Sequence, residues 1–185
     1  MKAILPALAI GGLLGLASLG AHAADGTITI TGTITDTTCS INGTKAGGDA
    51  SKQITLDPVT ASSLAALGQT AGTSKPTDLA FKLSGCTTGT KAIASFENGP
   101  TVDQASGNLN NSSGTGAAKN VQVQLLNGSM APINITTNSN NQLATNGAAI
   151  TDGAADLKYY ARYYATGKAE AGTVNTSVQF SMQYQ

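Results

Sequence analysis

From Thr27 to Thr35 the chain alternates without a slip. Threonine stands at 27, 29, 31, 33 and 35, with Ile28, Ile30, Gly32 and Ile34 between. A period of two places the isoleucines on one face of a strand and the threonines on the other. The same period returns at Leu79, Phe81 and Leu83, and again at Val121, Val123 and Leu125. It closes the chain at Val178, Phe180, Met182 and Tyr184, which alternate with Ser177, Gln179, Ser181 and Gln183. Many short strands with frequent Gly and Asn turn signals predict an all-β sandwich or barrel.

The intervening sequence fills in that plan. Gln53 to Leu56 reads as a strand stopped by Asp57-Pro58, and Ser62 to Leu67 as one short helical turn. Ala92 to Phe96 is a further strand. The Gly-, Asn- and Ser-rich stretch 98–119 reads as a long surface loop, and Asn138 to Asn141 as a second polar loop. Asn127-Gly128 is a tight-turn signal, followed by Ile133 and Ile135. Leu157 to Ala165 holds four of the five tyrosines and reads as a central strand, with a turn at Gly167 to Gly172. No internal boundary splits the chain into two domains.

The first 23 residues stand apart. Lys2 gives a short positive start, an apolar run follows from Ile4 to Leu19, and Ala21-His22-Ala23 is a small-x-small site. This is the pattern of a secretory signal peptide cleaved after Ala23. Pro6 and several glycines interrupt the apolar run, which disfavours a membrane anchor. An exported chain with two cysteines, Cys39 and Cys86, reads as carrying one disulfide.

Little chemistry for catalysis remains. Cleavage removes the single histidine, His22, so a thiol nucleophile has no imidazole partner and a metal site lacks its commonest ligand. Asp57, Asp78, Glu97, Asp152 and Glu170 are scattered rather than paired. Gly167-Lys168 has Ala169 where a phosphate loop needs Ser or Thr, and Arg162 where it needs its first Gly. Asp152-Gly153 lacks the companion acidic residues of a calcium loop. The sequence therefore predicts no enzyme, no cofactor and no metal. With ten basic and ten acidic residues over the whole chain, there is no clustered basic face for a nucleic acid.

These features meet in one family. The opening Ala24-Asp25-Gly26-Thr27-Ile28-Thr29-Ile30-Thr31-Gly32-Thr33-Ile34 resembles the N-terminal extension of type 1 fimbrial pilins of the chaperone–usher pathway. Cys39 follows Gly32 by the family's interval of seven, and Phe81 to Cys86 matches the family's Phe-x-Leu-x-x-Cys. Ala161-Arg162-Tyr163-Tyr164-Ala165-Thr166-Gly167 and the closing strand with its penultimate Tyr184 are similar to the family's C-terminal block.

The resemblance implies an incomplete immunoglobulin-like β-sandwich completed by a donated strand. Its expected parts are a signal peptide at 1–23, a donor-strand extension at 24–36 and a pilin domain at 37–185. Ile28, Ile30, Gly32 and Ile34 would be the donor residues. Val178, Phe180, Met182 and Tyr184 would border the groove and face the chaperone. The implied partners are neighbouring pilin subunits in a homopolymer, a periplasmic chaperone and an outer-membrane usher. The implied destination is the extracellular fimbrium, reached through the periplasm. The expected role is a structural fimbrial subunit supporting adhesion; the alternatives are a minor adaptor near the tip or a glycan-binding adhesin. Against the adhesin stand the extension, the lack of room for a second domain and the absence of Trp.

Overall fold

The computed structural model describes residues 39–45 and 47–185. The expected signal peptide and donor extension, with Ile28, Ile30, Gly32 and Ile34, lie outside the described residues.

The described residues form β1 (Ser40–Ile41), a 3₁₀ turn (Ala61–Leu64), β2 (Thr70–Ala71) and β3 (Leu79–Ser84). They continue through β4 (Lys91–Phe96), β5 (Leu109–Asn110), β6 (Lys119–Leu126) and a single helical turn, α1 (Leu143–Asn146). β7 (Ala148–Ala149), β8 (Ala155–Glu170) and β9 (Phe180–Tyr184) complete the order. The larger sheet runs β1-β3-β8-β6-β5, and β2 also pairs with β8, beyond the end of β3. The smaller sheet runs β7-β4-β9. Every paired strand is antiparallel. The all-β expectation therefore stands.

The two-residue periods work as read. Phe81 and Leu83 of β3, Val123 and Leu125 of β6, and Leu157, Tyr159 and Ala161 of β8 point one way and are buried. Ala92, Ala94 and Phe96 of β4 meet them from the smaller sheet. Aromatic rings weld the two layers. Phe96 packs edge-on to Tyr159 at 5.2 Å, and Phe81 lies 4.7 Å from Phe180. Such pairs stabilise by about 0.5–1.5 kcal/mol beyond the area they bury. Cys39 and Cys86 are bonded, tying the entry of β1 to the exit of β3.

Several expectations are corrected. Gln53 to Leu56 is no strand: among the described residues its main chain pairs with nothing, although Ile54 and Leu56 still pack on the core. The stretch 98–119 is more than a surface loop. Val102, Asn108 and Leu109 are buried, and Leu109–Asn110 adds β5 to the larger sheet. The turn expected at Gly167 to Gly172 is absent because β8 runs on to Glu170. A register shift at Asn120, whose φ is 56°, absorbs the irregularity, and Asn120 Nδ2 donates to the Lys168 carbonyl at 2.8 Å. The closing strand is also shorter than its alternation, since pairing begins only at Phe180.

Candidate functional site: an open groove between the sheets

The sandwich is not closed along one side. A groove of about 1180 Å³ opens onto the core, floored by Phe81, Phe96, Leu109, Val123 and Leu125. Its two walls are the segment 48–56 and the segment 174–182.

The hydrogen-bond pattern explains why the second wall is open. In β9 the odd residues face β4: Gln185 and Lys91 exchange both main-chain bonds, and Glu97 N–H donates to the Gln179 carbonyl. Upstream, the Ser177 carbonyl accepts from Thr101 Oγ1, Asn175 is held by Asn111 and Ser112, and Thr173 bonds Gly116 and Ala118. Alternate residues of an extended chain present their N–H and C=O groups to opposite edges. Val174, Thr176, Val178, Phe180, Met182 and Tyr184 therefore turn their main-chain groups to the free edge. Their side chains form a half-buried row directed at the core.

The first wall is held differently. Between Ala50 and Val59 no main-chain group bonds another main-chain group among the described residues, and the Ser51 N–H donates back to Asp49 Oδ1 at 2.8 Å. Lys52 ties the segment down instead: its Nζ donates to the Ala80 carbonyl at 2.7 Å and lies over the Phe81 ring. Tyr163 lines the groove beyond it, and burial, with the negative charge of Asp57 behind it, pushes its phenol above the ordinary value. Burial also raises the Tyr184 phenol.

Of the residues singled out from sequence, Val178, Phe180 and Met182 line the groove, and Tyr184 continues their row against the core. Arg162 lies outside it and is paired locally, its guanidinium donating twice to Gln124 Oε1 at 3.0 and 2.7 Å. Sequence reasoning passed over Val174 and Thr176, which extend the same row by four positions. Their signal was the period itself; a threonine among valines hid it.

The arrangement offers two bare backbone edges above an apolar floor, the shape left when one strand is taken out of a sandwich. The family model for fimbrial proteins matches residues 28–185. This chain belongs to the fimbrial protein family. The fimbrial chain is 43% identical over 178 residues to the major fimbrial subunit SMF-1 of Stenotrophomonas maltophilia, covering 93% of this chain and 99% of that one. It is also similar to the solved antigen and type I fimbria protein of Burkholderia pseudomallei, at 27% identity and a TM-score of 0.53, covering 81% of this chain and 91% of the other. A subunit structure from a chaperone–usher pilus, described for its rod uncoiling, superposes with a TM-score of 0.53 at 24% identity, covering 88% and 96%. The fold is thus the incomplete immunoglobulin-like sandwich of these pilins, and the protein is a fimbrial subunit of a structural family.

Proposed function

We propose that this fimbrial subunit polymerises by strand exchange: its groove accepts the 24–36 extension of a neighbouring copy, and its own extension fills the next groove. The observation that carries this reading is the pair of unpaired edges, 50–57 and 174–184, on either side of an apolar floor. Unpaired edges over exposed apolar surface invite uncontrolled association unless they are filled. An added strand satisfies both edges by main-chain bonds and the floor by alternate side chains. Ile28, Ile30 and Ile34 supply such side chains, each contributing roughly 1.5–3 kcal/mol when buried.

A free subunit would carry the same liability, so a periplasmic chaperone lends a strand first and an outer-membrane usher catalyses the exchange. The fibre that results stands on the cell surface and supports adhesion. Full-length similarity to a major fimbrial subunit supports the role of main shaft component over that of a minor adaptor.

The test is to purify surface fibres, identify their main component by mass spectrometry, and repeat the preparation with Gly32→Leu and Thr31→Ser. The wild-type chain and Thr31→Ser should build fibres as the main component, and Gly32→Leu should not. Fibres of normal length from Gly32→Leu would count against the donor strand.

A further inference from the structure

Both walls of the groove rest on one ring. Phe81, buried in the floor, has the Phe180 ring of the second wall at 4.7 Å and the Lys52 ammonium of the first wall at 5.8 Å from its centre. The second wall is fixed by pairing, since β9 lies in register on β4. The first wall has no such pairing, and the free edge of β3 shows what replaces it. Alternate residues of a strand turn their main-chain groups to the same edge, so Ala80 faces the side that Lys82 faces. At Lys82 that edge is closed by Asn42: its N–H donates to the Lys82 carbonyl at 2.8 Å, and its Oδ1 accepts from the Lys82 N–H at 2.9 Å. At Ala80 no main-chain donor arrives among the described residues, and Lys52 Nζ stands on the carbonyl at 2.7 Å instead. Among the described residues this is the one hydrogen bond that joins 50–59 to the rest of the domain. The flanks offer no substitute. The groove opens on one side of the segment, and a cavity of about 170 Å³, lined by Gln53, Ile54 and Thr55 and by Ser74 and Asp78, opens on the other.

We propose that Lys52 is the positioning residue of the groove: by holding the Ala80 carbonyl while lying over Phe81, it keeps the first wall at the distance from Phe180 at which the groove admits a strand. The inference rests on the strand-exchange reading above and names the side chain that keeps the acceptor open. Ile54 and Leu56 press the segment onto the core, but apolar contact is non-directional and sets no fixed distance. A hydrogen bond from a charged donor sets both distance and direction. Strand pairing demands a main-chain spacing of about 4.7–4.9 Å. A wall released from Ala80 can shift into either flank and lose that spacing. Lys52 is itself exposed, so its bond adds little to the stability of the domain. Its effect falls on the acceptance of a strand.

Two substitutions test this. Lys52→Met keeps an apolar stem over Phe81 and removes the donor, whereas Lys52→Arg keeps a cation that can donate. The purified mature subunit is digested with a protease that cuts beside apolar residues, and cuts within 48–59 are timed by mass spectrometry. The same preparations are melted and are followed as they assemble into fibres. Lys52→Met should be cut there roughly three- to tenfold faster than the parent, the effect of one lost charged hydrogen bond at an exposed site. It should also assemble more slowly by a similar factor while melting with the parent. Lys52→Arg should match the parent in all three measurements. Lys52→Met cut at the parent rate, or Lys52→Arg no better than Lys52→Met, would overturn the proposal. A melting temperature that falls along with assembly would make Lys52 a folding residue and overturn it too. Faster cutting with fibre growth at the parent rate would remove the positioning role and leave strand exchange standing. The cutting rates need no fibre, so a failure here is read apart from a failure of strand exchange.

Discussion

Ala94 is held at both main-chain groups by side chains rather than by a strand. Its N–H donates to the Tyr159 hydroxyl at 3.0 Å, and its carbonyl accepts from Asn141 Nδ2 at 2.9 Å. β4 pairs with β7 only through Lys91 and Ala92, so at Ala94 these two side chains take the place of a strand. Tyr159→Phe keeps the ring contacts but strands the buried Ala94 N–H. Chemical denaturation should register a loss of about 1–3 kcal/mol. The phenol itself is pushed up to about 12 by burial, with the bond from Ala94 opposing the shift. Below pH 10 Tyr159 is protonated in both the folded and the unfolded chain. As pH rises through 10 toward 12, only the unfolded chain sheds the proton, so stability falls across that window. Spectroscopic titration should find one tyrosine ionising last, and Tyr159→Phe should remove that step. An unchanged titration would exclude Tyr159 as its source.

At the scale of elements, segments cross where side chains would obstruct. Gly172 passes so close to Ala118 that a Cβ would stand 2.3 Å from its main-chain nitrogen. No flexible group there can give way, so Gly172→Ala should destabilise by about 1–3 kcal/mol through overpacking. Gly114→Ala, where a Cβ meets nothing within 4 Å, should be close to neutral in the same denaturation experiment. Strands buried on one face were legible in the sequence because Phe81, Leu83, Val123, Leu125 and Leu157 write their period directly. Segments whose burial rests on polar pairing were not. Asn108 is buried because its amide pairs with Gln122 and Gln124 across the larger sheet, each at 3.2 Å. By composition alone that stretch reads as loop. Gln53 to Leu56 erred in the other direction: its residues suit a strand, but strand pairing needs a neighbour, which no described residue supplies. For Val178, Phe180 and Met182 the closing alternation gave one shared strand face and only the family resemblance implied a groove beside it, while in the opposite wall Ile54 and Leu56 alternate too briefly to tell a paired strand from an unpaired segment.

Across the whole molecule the disulfide and the groove divide the work. Cys39–Cys86 closes a span of 47 residues. Restricting the unfolded chain over that span stabilises by about 4 kcal/mol in the entropic view. That is a large share of a small domain's stability. The double Cys39→Ser, Cys86→Ser variant should therefore accumulate poorly in the exported fraction on quantitative blotting; wild-type levels would mean that the remaining core suffices. The groove, in contrast, leaves main-chain edges unpaired above an apolar floor, and in the proposed strand exchange a neighbouring copy completes them. The most direct measurement is electron microscopy of cells producing Ile30→Asp, alongside quantification of the chaperone-bound subunit. In the proposed exchange the substitution leaves the groove lining unchanged and sets a carboxylate on the donated face, which is costly to bury unpaired. The account predicts a normal level of soluble chaperone-bound subunit and no fibres. Normal fibres from Ile30→Asp, or loss of the chaperone-bound subunit itself, would contradict it.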